Sequence, residues 1–240
     1  TMWFSENGFP VSKKMNYILA KRDNWPNNII LPEVARYIQD QKSINEEAKR
    51  SYPIHKYIHH GLSSQAMLFN LIGPLIVRND LAPLMKSLEM IGVEWPDGDI
   101  EAAFEFENRE IFKEYRGQPT SIDLVIGEVG NPPEIFIESK FVEKEFGGCS
   151  LFEKGDCDGR NPSPGFSGCY LHHIGRQYWL LMEKHGLLEG PLANASICVM
   201  AGYYQFFREF LMAMEMSGTF VLLCDSRSPT FAYKDRNSKR

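Results

Sequence analysis

The stretch from Ile122 to Phe141, IDLVIGEVGNPPEIFIESKF, narrows the possible folds more than any other part of the chain. Two apolar runs with the alternation of β-strands flank a Gly-Asn-Pro-Pro turn, and the pattern predicts an antiparallel hairpin. The second run is apolar enough for a central strand, yet it carries Glu138, Ser139 and Lys140, and the first run carries Asp123 near its start. Strand side chains alternate, so Glu138 and Lys140 share a face with Phe136 while Ser139 points away. A turn at 127–133 puts Asp123 at the open end of the hairpin, beside Glu138 and Lys140. Upstream, Ala102 to Glu107 alternates as a third strand. There Glu105 and Glu107 are expected on one face, opposite Phe104 and Phe106, from which they can join the acidic cluster.

Buried carboxylates about 4 Å apart repel each other unless they are paired or a cation bridges them. The charge distribution fits a missing cation. The net charge is −5, but residues 1–93 carry +3, residues 94–145 carry −9 and residues 146–240 carry +1, so the acid is concentrated around the predicted strands. A solvated acidic face is the plainer explanation. A divalent site explains in addition why the acids lie on apolar strands. Asp123 and Glu138 would ligate Mg²⁺ (or Mn²⁺), with the Ser139 carbonyl and waters completing the octahedron and Glu105 contributing directly or through water. Lys140 would hold or deprotonate a water attacking phosphorus. Taken alone, Glu-x-Lys on a strand is a common surface ion pair.

Around this hairpin the periodicity predicts helices at 31–50, at 63–77 with Ser63 or Ser64 as N-cap and a kink or early stop at Pro74, at 81–90, at 171–185 and at 202–216, and a last strand at 219–225. The order of helices, three-strand meander, two helices and strand predicts a mixed sheet packed by helices, an α/β (α+β mixed) class. Apolar stretches are far shorter than the ~20 residues of a membrane span, and the start lacks the order of a secretory signal. Five cysteines, an odd and sparse set, argue for a reducing compartment. The expectation is a soluble cytoplasmic protein with no membrane partner.

At these residues the chain resembles the PD-(D/E)xK phosphodiesterase superfamily. The motif elements are PTSID ending at Asp123 and IESK from Ile137 to Lys140, with fourteen residues between Asp123 and Glu138. HHGLSSQAMLFNLIGPL and GYYQFFREF resemble segments flanking the core in one bacterial branch of nuclease-like proteins. The resemblance spans roughly 60–230. It implies a restriction endonuclease-like core, its meander flanked by helices, in a single domain over 1–240, with 1–60 a helical N-terminal embellishment and 146–170 an irregular Cys/Gly-rich loop. It further implies Asp123 and Glu138 as metal ligands, Lys140 as the catalytic lysine, Glu105 ahead of Glu107 as a further ligand, and Gln177 as a glutamine near the site. The chain departs from the pattern where the family often has a glutamate on the helix before the sheet, because Gln65 and Asn70 stand there.

Other groups carry secondary expectations. Cys149, Cys157 and Cys169 precede His172, a set for a structural zinc or iron-sulfur site, although free thiols explain them as well. Lys49, Arg50, His55, Lys56, His59 and His60, with Tyr52 and Tyr57, are a candidate nucleic-acid groove, and Arg176, Arg208 and the tail KDRNSKR are phosphate candidates. YYQFFREF reads as core. The leading expectation is metal-dependent hydrolysis of nucleic-acid phosphodiesters, DNA before RNA, by a chain free to pair as a homodimer. The alternatives are a catalytically degenerate relative serving as a nucleic-acid or protein interaction module, and a zinc-stabilised structural domain.

Overall fold

The computed structural model describes residues 2–192 and 194–228, so the KDRNSKR tail lies outside the described residues. Along the chain come α1 (Met2–Glu6), a 3-10 helix (Arg22–Asn28), α2 (Pro32–Glu47), α3 (Ser64–Val77), α4 (Ala82–Glu89) and β1 (Ile100–Glu107). They are followed by α5 (Arg109–Phe112), β2 (Ser121–Glu128), β3 (Ile135–Lys140), α6 (Ser150–Glu153), α7 (Tyr170–His173), α8 (Tyr178–Lys184), α9 (Met200–Glu215) and β4 (Thr219–Cys224). The strands form one sheet in the order β1-β2-β3-β4, antiparallel except that β4 joins β3 in parallel. Every residue of β3 is buried, which fits a strand paired on both edges and covered on both faces.

The covering comes from helices. On one face Val34, Ile38, Leu68, Phe69 and Leu84 of α2 to α4 pack with Phe104, Leu124, Ile126, Ile135 and Ile137. On the other, Tyr178, Trp179 and Met182 of α8 and Leu211 and Met212 of α9 pack with Ile122, Val125 and Phe136. The arrangement is a four-stranded mixed sheet flanked by helices, as the sequence predicts. Helix α3 begins where the Ser63 hydroxyl accepts the Ala66 N–H. It continues through Pro74 to Val77, so the expected early stop does not occur. No helix among the described residues is long and apolar enough to cross a membrane.

Two expectations are corrected. The single helix over 171–185 is split into α7 and α8. Gly175 takes φ +89°, and the N–H groups of Gly175 and Arg176 satisfy the last carbonyls of α7, those of His172 and Leu171, which ends that helix. In β1, Glu105 takes φ +58°, and the alternation breaks there. Phe104 packs edge-on against Phe69 on the α3 face, and Phe106 packs edge-on against Phe136 on the opposite face. Phe104 and Phe106 therefore do not share the face expected of them. Glu107 turns to accept the Ser51 N–H at 3.2 Å and lies 3.6 Å from Arg109.

Candidate functional site

The sheet brings Asp123, Glu138, Lys140 and Glu105 to the wall of one cavity of about 710 Å³. Regular pairing of β2 with β3 covers Leu124 to Ile126 against Ile135 to Ile137, and beyond it the Asp123 carboxylate accepts the Ser139 N–H at 2.8 Å in place of a strand carbonyl. That hydrogen bond fixes the open end of the hairpin. Glu138 and Lys140 project from β3 onto the α9 side, where the Lys140 ammonium donates to Glu138 Oε1 at 2.7 Å and to Gln205 Oε1 at 2.9 Å. The Gln205 amide also donates to Glu138 Oε1 at 2.7 Å. On the other wall Glu105 accepts from the Gln65 amide of α3 at 2.6 Å and from the Ser121 hydroxyl at 3.0 Å. One turn beyond Gln205, α9 adds a fourth carboxylate, Glu209, to the same cavity.

Three of these acids are buried and Asp123 is half-buried beside them, without matching positive charge. Glu138 and Glu209 are 2 % exposed, Glu105 7 % and Lys140 5 %. Burial and then the neighbouring Asp123 push the Glu105 carboxyl up to about 8, against the pull of Gln65 and Ser121. Glu209 is likewise pushed up to about 8, by burial above all and by Asp123, with Lys140, Gln205 and Arg208 opposing. Burial raises Asp123 and Glu138 well above the usual carboxylate range, helped by Glu138 and by Glu209 respectively. Lys140 feels burial most, which lowers it, but Glu138, Glu209 and Asp123 together hold it above its ordinary value. Arg208 brings no spare charge, since it pairs with Glu114 at 3.0 Å. The second oxygens of Glu138 and Glu209 are buried with no hydrogen-bond partner.

A divalent cation fits this donor set. Among the described residues no three His, Cys, Asp or Glu side chains converge closely enough to hold an ion by themselves. Mg²⁺, however, is commonly held by one or two carboxylates, with water and substrate phosphate completing its shell. Asp123 and Glu138, whose spare oxygen lacks a partner, supply such a pair.

Other predicted residues lie elsewhere or play different parts. Gln177 is the residue before α8, its side chain donates to the Gly175 carbonyl at 2.9 Å, and it does not line the cavity. The glutamine that does is Gln205. Arg176 ties its guanidinium to the Lys113 and Arg116 carbonyls, away from the cavity. Lys56 and His55 stand on the cavity wall, with the Lys56 ammonium 4.7 Å above the Tyr57 ring. Asn70 bonds the Asn28 and Ala66 carbonyls instead of facing the acids. Sequence reasoning missed Gln205 and Glu209. Their signal was a polar pair four residues apart in the aromatic YYQFFREF run, a spacing that stacks both on one helix face.

The cysteines gather at a second cavity, of about 280 Å³, lined by Cys149, Cys157 and Cys169 and also by Cys198. His172 is not among its lining residues, and its ring instead meets Phe166 edge-on. All five cysteines are free. Burial pushes the Cys198 thiol up to about 11, the opposite of what a nucleophilic thiolate requires.

The whole chain, residues 1–240, matches the model of the family described as restriction endonuclease associating with ARP. No curated protein and no solved structure matches.

Proposed function

From the premise that the chain belongs to the REase-ARP family of restriction endonuclease-like proteins, we propose that it is a divalent-metal-dependent nuclease of the PD-(D/E)xK type acting on DNA. The observation that carries this reading is the cluster of buried Glu105, Glu138 and Glu209 and half-buried Asp123 around Lys140 on one cavity. Four acids facing one lysine in a site this dry repel one another, and a doubly charged ion bridging them offsets that cost. Asp123 and Glu138 would hold the ion, with Glu105 or Glu209 reaching it through water. A Mg²⁺ held there would supply a more acidic bound water and Lewis-acid polarisation of a phosphate.

The chain's own groups account for the remaining requirements. Glu138 and Gln205 fix the Lys140 ammonium at 2.7 and 2.9 Å, aiming a donor at a phosphate oxygen or the attacking water. Gln65 and Ser121 hold the Glu105 carboxylate in one orientation. Lys56 on the cavity wall attracts the phosphate backbone toward an acidic centre that would otherwise repel it.

One observation favours a second reading. Lys140 already neutralises Glu138 through a direct ion pair, as expected of a catalytically degenerate module that binds nucleic acid without cutting it. Cleavage of plasmid and linear DNA with Mg²⁺, Mn²⁺ or EDTA separates the two. The nuclease reading expects metal-dependent cleavage that falls about 10²-fold or more in Lys140→Ala and in Asp123→Asn. Metal-independent DNA binding with no cleavage by the unaltered chain supports the degenerate module instead.

A further inference from the structure

The 37 residues between β3 and α8 contain no strand and only the two short helices α6 and α7. A loop of that length rarely holds one conformation without a device to fix it. Part of it lines the 280 Å³ cavity, around which Cys149, Cys157, Cys169 and Cys198 are spread. Cys149 and Cys169 lie near enough to Cys198 for their charges to act on it. Cys149 and Cys198 are tied to the start of α9, since the Cys149 N–H bonds the Met200 carbonyl at 3.0 Å and Cys198 directly precedes Val199 and Met200.

Two further features are those of a site built for sulfur that carries negative charge. A backbone N–H points at one of the sulfurs: that of Gly159 at Cys157 Sγ, 3.4 Å away. Such bonds are weak to a thiol and much stronger to a metal-bound thiolate. The rest of the wall is largely apolar, including Leu151, Phe152, Trp179 and Met200, which limits water around whatever the thiols hold.

The spacing of the donors decides what that is. A tetrahedral zinc needs four donors meeting at one point, and among the described residues no three His, Cys, Asp or Glu groups do so. A 4Fe–4S cluster makes a different demand, because each iron takes a single cysteine and the four sulfurs surround a volume. We propose that Cys149, Cys157, Cys169 and Cys198 ligate a 4Fe–4S cluster, one cysteine to each iron, which pins the β3 to α8 loop against the start of α9. Four thiols lose their protons to solvent as four Fe–S bonds form. Gln205 stands one turn further along α9, and its N–H bonds the Gly147 carbonyl, so the cluster also braces the helix that positions Lys140.

The experiment uses the full chain, purified without oxygen and, in a second arm, reconstituted with ferric iron, sulfide and excess dithiothreitol, which reduces two of each four ferric ions. The expected result is about four iron and four sulfide per chain with broad visible absorption from thiolate-to-iron charge transfer. Cys198→Ser and Cys157→Ser should lose that absorption, and Cys224→Ser, outside the cavity, should keep it. The iron count of the unaltered chain is decisive even if a variant fails to fold. Stoichiometric zinc in place of iron, no bound metal in either arm, or full iron retention in Cys198→Ser would each overturn the assignment. Iron content is read without any cleavage assay, so failure of the nuclease reading leaves this test intact.

Discussion

Glu114 and Glu138 are equally buried, at 2 % exposure, but they meet opposite surroundings. Glu114 accepts from the Thr120 N–H at 2.6 Å, the Thr120 hydroxyl at 3.0 Å, the Tyr178 hydroxyl at 2.6 Å and Arg208 at 3.0 Å. Glu138 keeps one oxygen without any partner. The first is a structural carboxylate, fully answered by donors; the second retains unused capacity where a ligand would sit. Glu114→Ala leaves Arg208 charged and largely enclosed by Tyr178, Tyr204 and Thr120, so it should lower unfolding stability by about 3 kcal/mol, measurable by urea titration. A loss under about 1 kcal/mol would show that Arg208 finds water instead. Residues of this kind differ in how legible they are. Asp123, Glu138 and Lys140 could be grouped from sequence because strand alternation and one turn fix their relative positions. Gln205 and Glu209 could not, because the rotation of α9 about its axis is set by the packing of Leu211 and Met212 on the sheet.

Among the elements, the strands and α3 announced themselves through periodicity and caps, whereas the split between α7 and α8 and the break in β1 did not. Both exceptions rest on single left-handed residues, Gly175 and Glu105, and Glu105 carries no sequence mark of that conformation. A non-glycine residue held at positive φ costs on the order of 1–3 kcal/mol and recurs at functional sites. Here the residue that takes it is the one on β1 whose carboxylate lines the cavity. The contact of α2 with α3 was equally hidden. A Cβ on Gly73 would lie 2.4 Å from Cγ1 of Val34, a side chain with no exposed surface. Helix propensity alone favours Gly73→Ala by about 1 kcal/mol, but the clash should reverse the sign and destabilise by about 1–3 kcal/mol. Thermal unfolding of Gly73→Ala, Val34→Ala and the double variant provides the check. The double variant should be more stable than the sum of the two single losses, because Val34→Ala removes the obstacle. Additivity would place the strain elsewhere.

For the whole molecule, the buried carboxylates of the cavity make stability depend on pH. Glu105 and Glu209 are both pushed up to about 8 from 4.5, so in the metal-free protein the native state binds more protons than the unfolded chain between those values. Stability then falls as pH rises through that window, by roughly 1.4 kcal/mol per pH unit for each such group. The direction is opposite to that of a salt-bridged carboxylate, whose contribution is lost on acidification. Without divalent metal, the urea midpoint should therefore drop steadily from about pH 5 to about pH 8. Glu209→Gln keeps the volume and removes one charge, so it should make the decline shallower and raise stability at the alkaline end. A cation bound by the carboxylates replaces their protons, and Mn²⁺ should raise the midpoint most where the metal-free protein is weakest. Calorimetry of Mn²⁺ binding in buffers of different ionisation heat should then register proton release below about pH 8. A midpoint that is flat or rises across the window would mean that water reaches these acids and screens them. The same result would remove the electrostatic demand for a cation on which the nuclease reading depends.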